Sequence, residues 1–183
     1  YIFIYDRYGI WKVGIDPGKE PFNLIGGRSK KYRYRYIQVD TEERYIKKGQ
    51  QLIFSTFDEN NKKAGLWRGV YDGSSSVSKN LLPLHADDAH LISPVMKSKN
   101  AENYIFTMES FNEPPDLYHW YQTDEGTDGN KLSSINPQQS QYLWGTAELF
   151  KWKAYNGKEA TGVVYKPENF DPKKKYPMVV YFY

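Results

Sequence analysis

Leu52-Ile53-Phe54-Ser55-Thr56-Phe57, the polar loop Asp58-Glu59-Asn60-Asn61-Lys62-Lys63, then Leu66-Trp67 and Asp72-Gly73 make up a phrase that this sequence uses three times. An earlier copy runs from Ile2-Phe3 through Ile10-Trp11 to Asp16, and a later one from Ile105-Phe106 through Leu117-Tyr118 to Asp124. Between copies the Phe positions step by 51 and 52 residues and the Asp positions by 56 and 52. Repeats of this length, built from apolar strands and polar turns, belong to propeller blades rather than to helical solenoids. A closed propeller takes roughly four to eight blades. The chain therefore reads as mainly β, a partial β-propeller of about two to three four-stranded blades and a piece of a larger ring.

Aromatic residues form 17% of the 183 residues, including 17 Tyr and 5 Trp, which favours pleated surfaces where flat rings pack well. No Cys is present, so disulfides, Cys-based zinc sites and a thiol nucleophile are excluded within these residues. No apolar run approaches the roughly 20 residues that a membrane-spanning helix needs. The net charge of +3 sets 25 basic against 22 acidic residues. Between Arg28 and Tyr36 the basic residues Arg28, Lys30, Lys31, Arg33 and Arg35 interleave with Tyr32, Tyr34 and Tyr36. Such interleaving can stack on a single nucleic-acid strand. It is also the pattern of a half-buried strand with Tyr inward and Arg outward, and Asp40, Glu42 and Glu43 follow at once. The strand reading is preferred, and no nucleic-acid partner is expected.

Strands are predicted at 1–6, 10–15, 22–25, 34–39, 52–57, 66–71, 81–84, 91–96, 104–108 and 117–121. Glu113-Pro114-Pro115-Asp116 reads as a turn, since proline has no N–H to give a ladder. Asp124, Glu125 and Asp128 before Gly129 read as an Asp- and Gly-rich turn, because their spacing does not match a calcium loop. Beyond about Gln141 the pattern changes. Strands at 149–155 and 160–165 flank Asn156-Gly157, a strong hairpin signal because both turn residues tolerate positive φ. The continuous apolar run Met178 to Tyr183 has the look of a strand buried on both faces of a parallel sheet. Two domains follow from this shift, 1–143 and 144–183.

Across that boundary lie Glu148-Leu149-Phe150-Lys151-Trp152, Asn156-Gly157-Lys158-Glu159, Gly162-Val163-Val164-Tyr165-Lys166-Pro167 and Lys175-Tyr176-Pro177-Met178-Val179-Val180-Tyr181. This series resembles the propeller-to-catalytic-domain crossing of the prolyl oligopeptidase and dipeptidyl peptidase IV family of serine peptidases. The upstream residues Arg35-Tyr36, Glu43-Arg44-Tyr45-Ile46, Asn136-Pro137-Gln138-Gln139 and Trp144-Gly145 are similar too. The resemblance implies that residues 144–183 open an α/β-hydrolase domain. It also implies a Ser-Asp-His triad that hydrolyses short peptides without a metal or other cofactor. No Gly-x-Ser-x-Gly occurs in the sequence, so the triad would lie outside these residues. Counting from Tyr176-Pro177 puts Tyr183 where the family has a tyrosine that helps bind the oxyanion. The expected partners are short peptides, the remaining blades and the hydrolase domain, with a homodimer allowed. The expected location is periplasmic or secreted.

Other clusters have simpler readings. His85, Asp87, Asp88 and His90 could ligate a divalent metal, but they fall in a loop before Leu91 and read as solvated residues. Glu42-Glu43 is the only adjacent Glu pair and reads as the cap of an exposed turn rather than as a grip on a peptide amino terminus. His119 reads as a strand residue. Against the peptidase stands a second class, a non-enzymatic propeller module that binds a peptide or protein on its face.

Overall fold

The computed structural model describes residues 1–73, 76–77, 81–88, 90–123 and 126–182. Among them, thirteen strands form four separate antiparallel sheets, and no sheet closes on itself. The first sheet holds β1 (Ile2–Tyr5), β2 (Ile10–Val13) and β3 (Phe22–Ile25). The second holds β4 (Tyr32–Ile37), β5 (Gln50–Asp58), β6 (Ala64–Tyr71) and β7 (Leu82–Asp88). The third holds β8 (Leu91–Lys97), β9 (Asn103–Ser110), β10 (Glu113–Thr123) and β11 (Gly126–Lys131). A two-stranded ribbon of β12 (Thr146–Lys153) and β13 (Glu159–Lys166) is the fourth. Every strand pairs with its neighbour in sequence, so each sheet is a meander. Among the described residues no helix is long and apolar enough to cross a membrane.

The three copies of the repeated phrase fall on equivalent strands. Ile2-Phe3 lies on β1, Ile53-Phe54 on β5 and Ile105-Phe106 on β9, and each strand is followed by the one that carries Trp or Tyr. Phe54 pairs across from Trp67, and Ile4 from Trp11.

Two compact units are present: Tyr1–Ser110 with Pro115–Ile135, and Phe111–Pro114 with the residues from Asn136 onward. Burial within the first unit follows from the two-residue period of a strand, which sends neighbouring side chains to opposite faces. Leu52 and Phe54 of β5 join Ile10, Leu24, Ile25 and Tyr71 in one core cluster. Ile53, between them in sequence, points the other way and joins Leu66, Leu84, Val95, Tyr104 and Phe106 in a second. The middle sheet is thus buried on both faces, with the first sheet's apolar residues on one side and the third sheet's on the other.

In the second unit the ribbon keeps one register from Thr146↔Lys166 to Lys153↔Glu159. Ala154 N–H donates to Lys158 O at 2.9 Å and Gly157 N–H to Ala154 O at 2.9 Å. Only Gly157 of the Asn-Gly pair takes positive φ, at 77°, so the connection is a five-residue loop rather than the two-residue turn. Phe111 belongs to this unit through its ring, 5.2 Å from that of Tyr165.

Four sequence readings are corrected. The turn expected at Glu113–Asp116 sits one step earlier, at Phe111-Asn112, and β10 begins at Glu113. Proline is tolerated at the start of a strand, where no ladder donor is required. The Asp-Gly region expected as turn is strand β11 from Gly126, because six consecutive residues of β10 pair with it, from Tyr118↔Lys131 to Thr123↔Gly126. The alternation of β4 does not separate a wet face from a dry one. All six residues are half-buried, since Tyr34 and Tyr36 pack on the first cluster while Arg33 and Arg35 lie over the Phe57 and Tyr5 rings. Finally, Met178–Phe182 lies outside every strand, and Val179 is 96% exposed. A strand is a pairing state, and the antiparallel ribbon is the only sheet among the described residues from 144 onward.

Candidate functional site

A cleft of about 480 Å³ opens in the first unit between the loop joining β4 to β5 and the turn joining β8 to β9. Asp40, Glu42, Glu43, Gln51, Lys97 and Glu102 are among its lining residues. The turn is shaped by Ser98 N–H donating to Asn103 O at 2.9 Å, and Lys97 Nζ reaches Ala101 O at 3.0 Å. This fixes Glu102 above Tyr104, whose ring is buried in the second core cluster. The Tyr104 hydroxyl donates to Glu102 Oε2. Gln51 Nε2 donates to both Glu102 Oε2 and Tyr104 Oη, each at 2.7 Å, and Lys97 Nζ stands 3.2 Å from Glu102 Oε1.

Three residues from three different strands, Gln51 of β5, Lys97 of β8 and Tyr104 of β9, therefore hold one carboxylate at the cleft wall. Burial pushes the Glu102 carboxyl up, but hydrogen bonds from Tyr104, Lys97 and Gln51 and the Lys97 charge outweigh it and hold the group below its ordinary value. Burial first, and then the bond to Glu102, push the Tyr104 phenol far above its ordinary range. The arrangement is a fixed acceptor suited to orient a donor, not a nucleophile paired with a base.

Both shifts carry a stability consequence. A carboxyl depressed on folding contributes stability that is present above its unfolded value of 4.5 and is lost as pH falls below it. A phenol raised on folding contributes stability that is present below its unfolded value of 10.0 and is lost as pH climbs past it. Tyr104→Phe is expected to lower the unfolding free energy by about 1.5–3 kcal/mol at neutral pH. It should also flatten the fall in stability that sets in as pH climbs past 10.0. Urea unfolding at several pH values checks both. An alkaline limb unchanged by the substitution would assign that limb to another tyrosine.

The remaining sequence candidates fall elsewhere. Glu42 is an exposed turn residue whose N–H donates to Asp40 Oδ1 at 2.9 Å, and Glu43 Oε2 accepts from Gln50 Nε2 at 2.6 Å. Both line the cleft, so the pair expected as a turn cap also faces this space. His85 lies on strand β7 rather than in a loop, its ring edge-on to Trp120 with centroids 4.6 Å apart. His90 follows β7 in a bend. The side chains of Asp87 and Asp88 lie outside the described residues, and no group of three metal-ligating side chains forms among those described. His119 is on β10, with Nε2 2.9 Å from Asn103 Oδ1. Asp128 accepts from the Tyr121 hydroxyl at 3.2 Å. Asp124, Glu125 and Tyr183 lie outside the described residues.

Among solved structures, a chain described as the AtxE2 isopeptidase in its apo form shares this fold, with a TM-score of 0.55 at 18% sequence identity. The match covers 92% of this chain and 23% of the isopeptidase chain. At that identity the likeness is one of fold. No family model matches the sequence, and no curated protein matches it.

Gln51, Lys97, Glu102 and Tyr104 are not singled out by any short sequence motif. One signal does mark the last of them. Counted back from the repeated Phe, Tyr104 stands where the previous copy has Leu52, so a ring with a polar tip occupies a leucine slot. A buried tyrosine hydroxyl needs a partner.

Proposed function

We propose that this chain is part of a serine-type peptidase similar to the prolyl oligopeptidase and dipeptidyl peptidase IV family. Its three meander sheets act as propeller blades that admit short peptides, and the ribbon opens the crossing into an α/β-hydrolase domain. The observation that carries this reading is the fold likeness to an isopeptidase chain along 92% of these residues. The junction series from Glu148 to Tyr181 supports it, because a propeller that only binds has no need of such a crossing. The chain spans 23% of that isopeptidase chain, and the triad is assigned to residues outside 1–183. The same resemblance carries the periplasmic or secreted location.

In this reading Tyr183 donates a hydrogen bond from its phenol to the oxyanion that develops as serine attacks the peptide carbonyl, and keeps its proton. A donor aimed at that charge in a dry site contributes to kcat rather than to substrate binding. The test uses the intact source protein. A fluorophosphonate should label a single serine, and Tyr183→Phe should lower kcat for a short peptide by about 10²–10³-fold with little change in KM. Wild-type turnover in the Tyr183→Phe protein would remove the tyrosine from the mechanism. Absence of any labelled serine would remove the peptidase itself and favour the binding module.

A further inference from the structure

Three turns of the first unit meet at one end of its first two sheets, and together they build a basic ledge. The turns are Asp6–Gly9, Gly27–Lys31 and Asp58–Lys63. They are bonded to one another: Glu59 N–H donates to Lys31 O at 3.1 Å, Asn60 Nδ2 to Lys30 O at 2.9 Å, and Tyr34 N–H to Tyr8 O at 2.9 Å. Glu59 accepts from Arg7 through two bonds, Nε to Oε1 at 3.0 Å and Nη2 to Oε2 at 2.9 Å, and from the Tyr8 hydroxyl at 3.2 Å. Asp6 accepts from Tyr8 and Gly9 N–H at 2.7 and 2.6 Å and from Arg28 Nη2 at 3.0 Å.

These two carboxylates organise the ledge without neutralising it. The first two turns and strand β4 supply Arg7, Arg28, Lys30, Lys31, Arg33 and Arg35 against the carboxylates of Asp6 and Glu59, a net of +4 in one region of a chain whose total is +3; Arg7 and Arg33 pair with Glu59 and Arg28 with Asp6. Asp58, Lys62 and Lys63 on the third turn add one more positive charge. Arg7 keeps Nη1 and Arg28 keeps Nε and Nη1 outside these ion pairs, and their side chains are 67% and 71% exposed. The ammonium groups of Lys30 and Lys31 meet no carboxylate among the described residues.

We propose that this ledge is a docking surface for an acidic peptide segment, whose carboxylates pair with Arg28, Lys30, Lys31 and the open edge of Arg7. Guanidinium forks match carboxylates in pairs of parallel bonds, and on the ledge they are already held in place, so little freedom is lost on binding. A single nucleic-acid strand fits less well. Stacking bases need open ring faces. The Tyr8 ring is taken by the guanidiniums of Arg7 and Arg28, at 5.3 and 5.4 Å from its centroid, and Tyr32 and Tyr34 are half-buried and tilted 50° to each other.

Fluorescence anisotropy with the full chain tests this, using a labelled peptide of about eight residues that alternates Glu with Gly and an oligothymidylate of equal charge. The peptide should bind at low salt and weaken as salt rises, because exposed pairs are screened. The triple substitution Arg28→Gln, Lys30→Gln, Lys31→Asn should weaken it by about tenfold, three exposed pairs being removed. Asn is chosen at Lys31 because that residue sits at φ 55°, which Asn tolerates. Lys30→Gln with Lys31→Asn alone touches only the two ammonium groups that meet no carboxylate and should give an intermediate loss. Lys173→Gln, Lys174→Gln, Lys175→Gln removes an equal charge from the second unit and should leave affinity unchanged. No binding, equal losses in the two triple variants, or tighter binding of the oligothymidylate would each overturn the proposal.

Discussion

Phe54→Ala is expected to lower the unfolding free energy by about 3–5 kcal/mol, and Ile53→Ala, the next residue along the chain, by about 2–5 kcal/mol. Neighbours on a strand face opposite ways, so in a sheet with one wet face one of the two would be a surface position, worth within about 0.5 kcal/mol. In this sheet neither is. Phe54 is fully buried against Ile10, Leu24 and Ile25 of the first sheet, and Ile53 is 1% exposed among Val95, Tyr104 and Phe106 of the third. A domain has roughly 5–15 kcal/mol in total, so either cavity removes a large share of it. Urea midpoints with unchanged slopes check both values. An Ile53→Ala protein as stable as its parent would mean that the middle sheet has a solvent face after all.

The same two residues explain why so much of the fold is legible in the sequence. Ile-Phe at a constant step marks strands with apolar residues on both faces, because two adjacent positions on a pleated strand cannot share one face; both are buried in β5, whereas Ile2 on β1 is 51% exposed. Strand β3 has the bounds that the sequence predicts, Phe22 to Ile25. Strand β11 is not legible. Gly126-Thr-Asp-Gly-Asn-Lys131 contains almost none of the residues that favour strands, and it is strand only because β10 runs on past Tyr121 and offers it a ladder. The apolar run Met178–Phe182 fails in the opposite sense. Its composition states that the residues avoid water but not which neighbours would pair with them.

The cleft shows a further limit of reading along a chain. Glu42 and Glu43 are adjacent in sequence and stand out as a pair, whereas Glu102, besides its near neighbours Tyr104 and Lys97, takes a bond from Gln51, 51 residues away. The Gln51–Tyr104 bond likewise joins positions 53 residues apart. These separations are close to the repeat length itself: the second and third sheets stack, and residues near the same point in successive copies become neighbours. A search for chemistry between copies, rather than within short windows, would put Gln51 next to Tyr104.

Gly27→Ala should be the most damaging single-methyl change in the first two sheets. Gly27 closes the turn before β4 by accepting from Tyr32 N–H at 2.9 Å and from Lys30 N–H at 3.2 Å. A Cβ built there would lie 1.8 Å from Tyr32 O and 3.0 Å from Tyr34 Cε2. With φ at −128° the backbone lies outside the left-handed region that favours glycine, so the main obstacle is the approach of the Tyr32 carbonyl. That carbonyl is main chain at the start of β4 and cannot swing aside as a side chain would. It must retreat by more than an ångström, taking with it the Tyr32↔Asp58 end of the β4–β5 register. Overpacking costs about 1–3 kcal/mol and a lost turn hydrogen bond about 1 kcal/mol more. The neighbouring Gly26→Ala meets only the Asn23 side chain, at 3.0 Å, which can rotate away, and should melt within a degree or two of the parent, roughly the spread of a neutral surface change. Amide exchange should quicken across Tyr32–Ile37 in the first variant and not in the second. Because the distorted turn also carries Arg28, Lys30 and Lys31, Gly27→Ala should weaken acidic-peptide binding at temperatures where the protein is still folded. If it melted with its parent and kept that affinity, the close approach at Tyr32 would not be holding the ledge in shape.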